Sequence, residues 1–222
     1  MAELLKHALN QQTVDWLADS IAAAHLTFQR DAFVKDSMHG LDALELMSRG
    51  EHIADVMDRF LPHPFAAAVK VLAETFEPEI PATGENGVSV FRYLPHAIYV
   101  RKYGIGDFDA AMDFQYELTK RFTAEFSIRT FIERYPQETY SRLVTWAGDE
   151  SAHVRRLVSE GTRPRLPWAA RLRAYQADPS PVLALLELLK DDSARYVQRS
   201  VANSLNDIGK DHPDVLAATA NA

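Results

Sequence analysis

The chain has 222 residues, 47% of them apolar and 25% charged, the proportions of a soluble globular protein long enough to bury a substantial core. It has no cysteine, which excludes disulfides, thiolate catalysis and thiolate metal sites. The net charge is −7, yet residues 151–175 gather six arginines against one glutamate, a local balance of +5 that leaves −12 on the rest. Segregation of that kind sets a basic patch on an acidic body, and the patch is what a polyanion meets.

The N-terminal stretch "MAELLKHALNQQTVDWLADS" lacks the basic region and apolar run of a signal peptide. No segment approaches the roughly 20 apolar residues that span a bilayer. A cytoplasmic protein with no membrane partner is expected. "LDALELMSRGEHIADVMDRFL" (41–61) repeats apolar residues at spacings of three and four, a helix interrupted at Gly50. His52 and Asp55 share a face of that helix and are read as solvated. Residues 78–90, "PEIPATGENGVSV", form the one clear loop. Residues 107–135 return to helical spacing, with Leu118, Phe122 and Phe126 on one ridge. Trp16 and Trp146 are assigned to the core.

An internal repeat follows. Pro136 and Pro179 lie 43 residues apart, and the same offset pairs Leu143 with Leu186, Asp149 with Asp192, Val154 with Val197, Arg156 with Arg199 and Val158 with Val201. Each unit reads as a helix after a proline, a turn with an acid pair, and a second helix. Two helices in a period of about 40–47 residues are the mark of HEAT or armadillo-type repeats, which bury a core by stacking and present a concave surface. Residues 107–135 are read as a third, divergent pair. The expected fold is an all-α, HEAT-like (armadillo-type) helical-repeat solenoid. It is one domain, residues 1–222, with N-terminal helices and a loop over 1–90 and helix-pair repeats over 91–222.

Positions i, i+4 and i+8 form a row on a helix. Three such rows recur: Arg121, Glu125 and Arg129; Arg156 and Glu160; Arg199, Asn203 and Asp207. Stacked helices would bring Glu125, Glu160 and Asp207 together among arginines. Arginine neighbours keep a carboxylate ionised, so it serves not as a general acid but to oppose a developing cation or orient water. Asn203 is placed to bridge Arg199 and Asp207, while Lys210 and His212 close their helix in keeping with its dipole. In "RPRLPW", Pro167 marks a helix start, with Trp168 at the groove edge offering a π face. Arg163 and Arg165 occupy the connection before it, suited to phosphate contacts.

The strings "LTKRFTAEFSIRTFI", "WAGDESAHVRRLVSEGTRPRLPWAARL" and "YVQRSVANSLNDIGKDHPD" closely resemble the DNA alkylation-repair glycosylases built on HEAT-like repeats, the AlkC/AlkD superfamily, and its AlkC branch most. The resemblance implies a C-shaped, all-helical, metal-free and cofactor-free monomer that grips duplex DNA containing alkylated bases. It implies base-excision repair by hydrolysis of the N-glycosidic bond of cationic bases of the 3-methyladenine type, without deep base flipping. Carried over by position, Glu125, Glu160 and Asp207 are the active-site carboxylates and Trp168 the aromatic wall beside the lesion. Arg156 and Arg163 resemble the arginines that brace the site and hold the DNA backbone; from their own placement in the connector and the helical row, Arg165, Arg199 and Asn203 are further candidate DNA contacts. Localisation would be cytoplasmic, on the nucleoid when bound to DNA. Family members usually continue past the position of Ala222, so a DNA-contacting end is expected to be lacking; the arginine row is flanked by few lysines, so weak and strongly salt-dependent non-specific DNA binding is expected. Two other readings of the same repeats are a non-catalytic binder of damaged or branched DNA and a protein-binding scaffold.

Overall fold

The structure, a computed structural model, describes residues 5–82 and 87–220. The regular elements among them are helical, and none is long and apolar enough to cross a membrane. They fall into two compact units, residues 1–80 with 85–122, and residues 81–84 with 123–222. Residues 91–122, grouped with the repeats on sequence, lie in the first unit.

The first unit contains α1 (Gln11–Ala24), α2 (Arg30–Met38), α3 (Leu46–Phe60), α4 (Phe65–Ala73), α5 (Leu94–Tyr103) and α6 (Phe108–Thr119). Asn10 caps α1, its side-chain oxygen accepting from the Thr13 amide at 3.1 Å. The helix expected over 41–61 is a 3-10 turn, Leu41–Ala43, followed by α3. Gly50 does not interrupt α3. A Cβ there would come within 2.6 Å of Ile98 Cδ1, so the missing side chain lets α5 pack against α3. Leu17, Ile21, Phe33, Met57, Leu72 and Met112 are fully buried around these helices. Arg49 is buried with them, donating to the carbonyls of Leu44 and Leu9 at 2.9 and 2.8 Å. His52 and Asp55 are half-buried rather than solvated. His52 Nε2 lies 3.1 Å from the Asp36 and Ser37 carbonyl oxygens, and Asp55 accepts from Lys102 and from the Tyr103 hydroxyl. Of the expected loop, residues 83–86 lie outside the described residues, and Val88–Tyr93 is a 3-10 stretch.

The second unit contains α7 (Ile128–Arg134), α8 (Pro136–Trp146), α9 (Ala152–Gly161), α10 (Arg173–Ala177), α11 (Ser180–Leu189), α12 (Arg195–Gly209) and α13 (Pro213–Ala220). The pairs α8–α9 and α11–α12 are the two repeats read from the sequence. Proline opens each pair, in a first turn where its missing N–H costs no hydrogen bond. The acid turns share one device. Asp149 Oδ1 accepts from the Ser151 amide and Asp192 Oδ1 from the Ala194 amide, both at 2.8 Å. Such a bond back to the chain two residues on closes a tight turn. The paired leucines and valines are buried in both copies, and Trp146 with them, while Trp16 in the first unit is half-buried. Arg155 joins the copies, its Nε and Nη2 reaching the Asp192 carboxylate at 2.6 and 3.0 Å.

Residues 107–135 are not one continuous pattern. α6 ends at Thr119 and α7 starts at Ile128, with the unit boundary between them. Short side chains here bond their own backbone and compete with the helix: Thr123 Oγ1 accepts from the Glu125 amide at 3.2 Å, and Ser127 donates to the Ala124 carbonyl at 3.1 Å. The end of α9 presses on this turn at Gly161, where a Cβ would lie 2.6 Å from Ile128 Cγ2 and 4.0 Å from Glu125 Cα.

Candidate active site

Five charged side chains of the second unit form an alternating chain. Glu125, in the turn before α7, binds Arg156 of α9 (Oε2–Nη1, 2.5 Å). Arg156 Nη2 lies 3.5 Å from Oε1 of Glu160, one helical turn on. The same oxygen accepts from Arg163 Nη1 at 2.6 Å, and Arg163 Nε donates to Asp207 Oδ2 of α12 at 2.8 Å. Three carboxylates against two guanidiniums leave the chain one cation short. Lys210 supplies it, its Nζ 2.9 Å from Asp207 Oδ1.

Neutral donors complete the cluster. The Ser200 hydroxyl donates to Glu160 Oε2 at 2.6 Å, and Ser159 donates to Ser200 at 2.7 Å. The Thr123 hydroxyl donates to Glu125 Oε2 at 2.9 Å. Glu160 is 5% exposed and Asp207 1%, whereas the Lys210 side chain is 58% exposed. Burial alone would lower the basicity of Arg156 and Arg163. The neighbouring carboxylates outweigh it, and both guanidiniums are held above their ordinary range.

The structure brings the three expected carboxylates together, by a different route from three stacked rows. Only Arg156–Glu160 is an i,i+4 pair of the expected kind. Glu125 lies in a turn, so the row Arg121, Glu125 and Arg129 does not form. Arg121 belongs to the first unit, where it binds Glu117 and the Glu77 carbonyl. Arg129 is buried and donates to the carbonyls of Gly161, Arg163 and Ala170 at 3.1, 2.7 and 2.5 Å. Arg199 is exposed, and Asn203 bridges it to nothing, because Asp207 is already taken by Arg163 and Lys210.

The connector differs from expectation at two positions. Trp168 does not open a helix, since α10 begins only at Arg173. It lies in a turn with φ of 63° and is 79% exposed, which also excludes a core role. A left-handed conformation is strained for a bulky residue and clusters at functional positions. Arg165, expected to face phosphates, is paired within the protein. Its Nε and Nη2 meet the Asp211 carboxylate at 2.8 and 2.5 Å, which also accepts from Gln176. Asp211 is held far below the usual carboxylate range, first by the Arg165 bond and then by Gln176.

Sequence reasoning missed Ser200, Ser159, Thr123 and Asp211, and gave Lys210 only a dipole role. One signal was present. Ser200 interrupts the buried face of α12 formed by Val197, Val201 and Ile208, and a hydroxyl on an apolar face needs a partner. Among the described residues no three His, Asp or Glu side chains are arranged to hold a metal ion.

No protein-family model matches the chain. The solved structure of alkylpurine DNA glycosylase AlkC from Pseudomonas fluorescens, bound to DNA containing an abasic site analog, has the same fold with a TM-score of 0.87 and 35% identity, over 97% of this chain. The chain is similar to this AlkC in both sequence and fold. A curated relative, the uncharacterized protein YhaZ of Bacillus subtilis strain 168, is 32% identical over 219 residues, or 98% of this chain. The chain spans 58% of the length of each. The likeness takes in both compact units, and with them the helices that carry the charged cluster.

Proposed function

We propose that the protein is a DNA glycosylase that removes cationic alkylated bases from duplex DNA by hydrolysing the N-glycosidic bond. The observation that carries this reading is the alternating cluster of Glu125, Arg156, Glu160, Arg163 and Asp207 in an AlkC-like chain. A purine methylated at N3 already bears a positive charge. When its bond to C1′ breaks, the bonding electrons return to the ring and neutralise it, so the leaving group needs no proton. The sugar then develops oxocarbenium character, and fixed carboxylates oppose that charge.

The three carboxylates are not equally available. Both oxygens of Glu160 and both of Asp207 are engaged by donors. Glu125 uses Oε2 for Arg156 and Thr123, and its Oε1 has no partner among the described residues. Glu125 is therefore assigned the water: it orients the molecule that attacks C1′ and accepts its proton. Glu160 and Asp207 fix the two arginines and supply the negative field. Trp168, exposed beside this cluster in sequence, offers a π face to the cationic base.

The test is incubation with methylated duplex DNA, with the released bases identified. The wild type is expected to release 3-methyladenine, and Glu125→Gln to slow release by about a hundredfold or more, the scale of losing one transition-state contact. Binding without release would make the protein a silent DNA binder. Unchanged release in Glu125→Gln, Glu160→Gln and Asp207→Asn would remove the catalytic assignment.

A further inference from the structure

Six arginines crowd residues 151–175, but most are occupied within the protein. Arg155 is bound to Asp192, Arg156 to Glu125 and Glu160, Arg163 to Glu160 and Asp207, and Arg165 to Asp211. A guanidinium committed to a partly buried carboxylate can grip a phosphate only by abandoning that partner. Arg171 and Arg173 differ: both are exposed, and neither has an ion-pair partner among the described residues.

Their backbone is well anchored. Arg129 holds the Ala170 carbonyl at 2.5 Å, and the Leu172 amide donates to the Pro164 carbonyl at 3.2 Å. Leu172, between the two arginines, is buried. Two free cations thus flank a pinned residue, so seating an anion against them orders side chains only. Trp168 lies three residues before Arg171, at most about 11 Å along the chain, and Arg173 at most about 18 Å away. At about 3.4 Å per phosphate on one strand, that reach covers about five nucleotides.

We propose that Arg171 and Arg173 are the phosphate-contacting pair that seats the Trp168 turn on the DNA backbone, in place of the internally paired Arg163 and Arg165. The proposal rests on the reading of duplex DNA as the partner. Such contacts carry no base information, so they serve damaged and undamaged duplex alike.

The experiment is equilibrium binding of the 222-residue chain to a labelled undamaged duplex, followed between about 50 and 200 mM salt. Each phosphate contact contributes about −0.9 to the slope of log K against log salt, so two contacts account for about a twelvefold loss across that range. The double variant Arg171→Ala/Arg173→Ala is expected to bind more weakly and to lose that share of the slope. Arg171→Lys/Arg173→Lys, which keeps the charges, is expected to retain it. A double alanine variant with the native circular dichroism spectrum and the wild-type slope overturns the proposal alone. A wild type that binds duplex with no salt dependence overturns it together with the DNA reading.

Discussion

Replacing Ser200 by alanine removes one hydroxyl between α9 and α12 and leaves every charge of the cluster in place. Glu160 Oε2 loses its donor, 2.6 Å away, and gains none in a position that is 5% exposed. A hydrogen bond to an ionised group contributes about 1.5–3 kcal/mol. Ser159 loses an acceptor but has the Arg156 carbonyl 3.0 Å away for its proton, so it adds little. The expected loss is about 2 kcal/mol, a large share of the 5–15 kcal/mol typical of a domain. Urea unfolding followed by circular dichroism measures it as a lower midpoint at unchanged m. The same substitution in a Glu160→Gln background should cost only about 1 kcal/mol, because the bond is then between neutral groups. A loss below about 0.5 kcal/mol, or one of equal size in both backgrounds, would refute the claim that this hydroxyl supports a charged Glu160.

Trp168→Asn should raise stability and lower base release together. Asparagine tolerates the left-handed conformation that tryptophan holds at φ 63°, so a gain of about 1 kcal/mol is expected in thermal unfolding. A loss of stability would show that the ring is held by contacts. Asp192→Asn should cost about 2–3 kcal/mol at neutral pH, by leaving Arg155 unpaired while the amide oxygen keeps the Ala194 turn. The Arg155 bonds hold Asp192 below its ordinary value, with burial opposing them, so its contribution is complete above the unfolded value of about 3.9 and fades as pH falls through the folded one. Wild-type and variant midpoints should therefore converge in acid, and a constant offset down to that range would count against the pair.

The repeat was legible because its punctuation is local. Prolines in first turns and aspartates bonding two residues ahead are short-range chemistry, and the leucine and valine matches follow the helical period. The break after Thr119 was not legible, because Leu118 and Phe122 are both buried and keep helical spacing where the helix has already ended. The three carboxylates were found, but not the partners of the arginines. Arg163 and Asp207 are 44 residues apart and Arg165 and Asp211 are 46, distances at which only the packing of α9 and its connector against α12 decides who meets whom. Trp168 was misplaced because a tryptophan after prolines fits a helix start, and its exposure depends on how the Arg129 carbonyl bonds hold the surrounding connector.

The alternating order of the cluster limits how such a site can change over generations. Each arginine holds two carboxylates, but Glu125 has Arg156 as its one ion-pair partner among the described residues, so losing Arg156 strands a largely buried charge, at a cost of about 3–5 kcal/mol. That is close to the whole margin by which many domains stay folded. Drift cannot remove Arg156 before Glu125 without passing through a poorly folded intermediate, whereas the loss of any one carboxylate leaves each arginine a second partner. A lineage altering this cluster would lose Glu125 before or together with Arg156, and the exchange with least penalty is at the solvent end, where the exposed Lys210 meets Asp207.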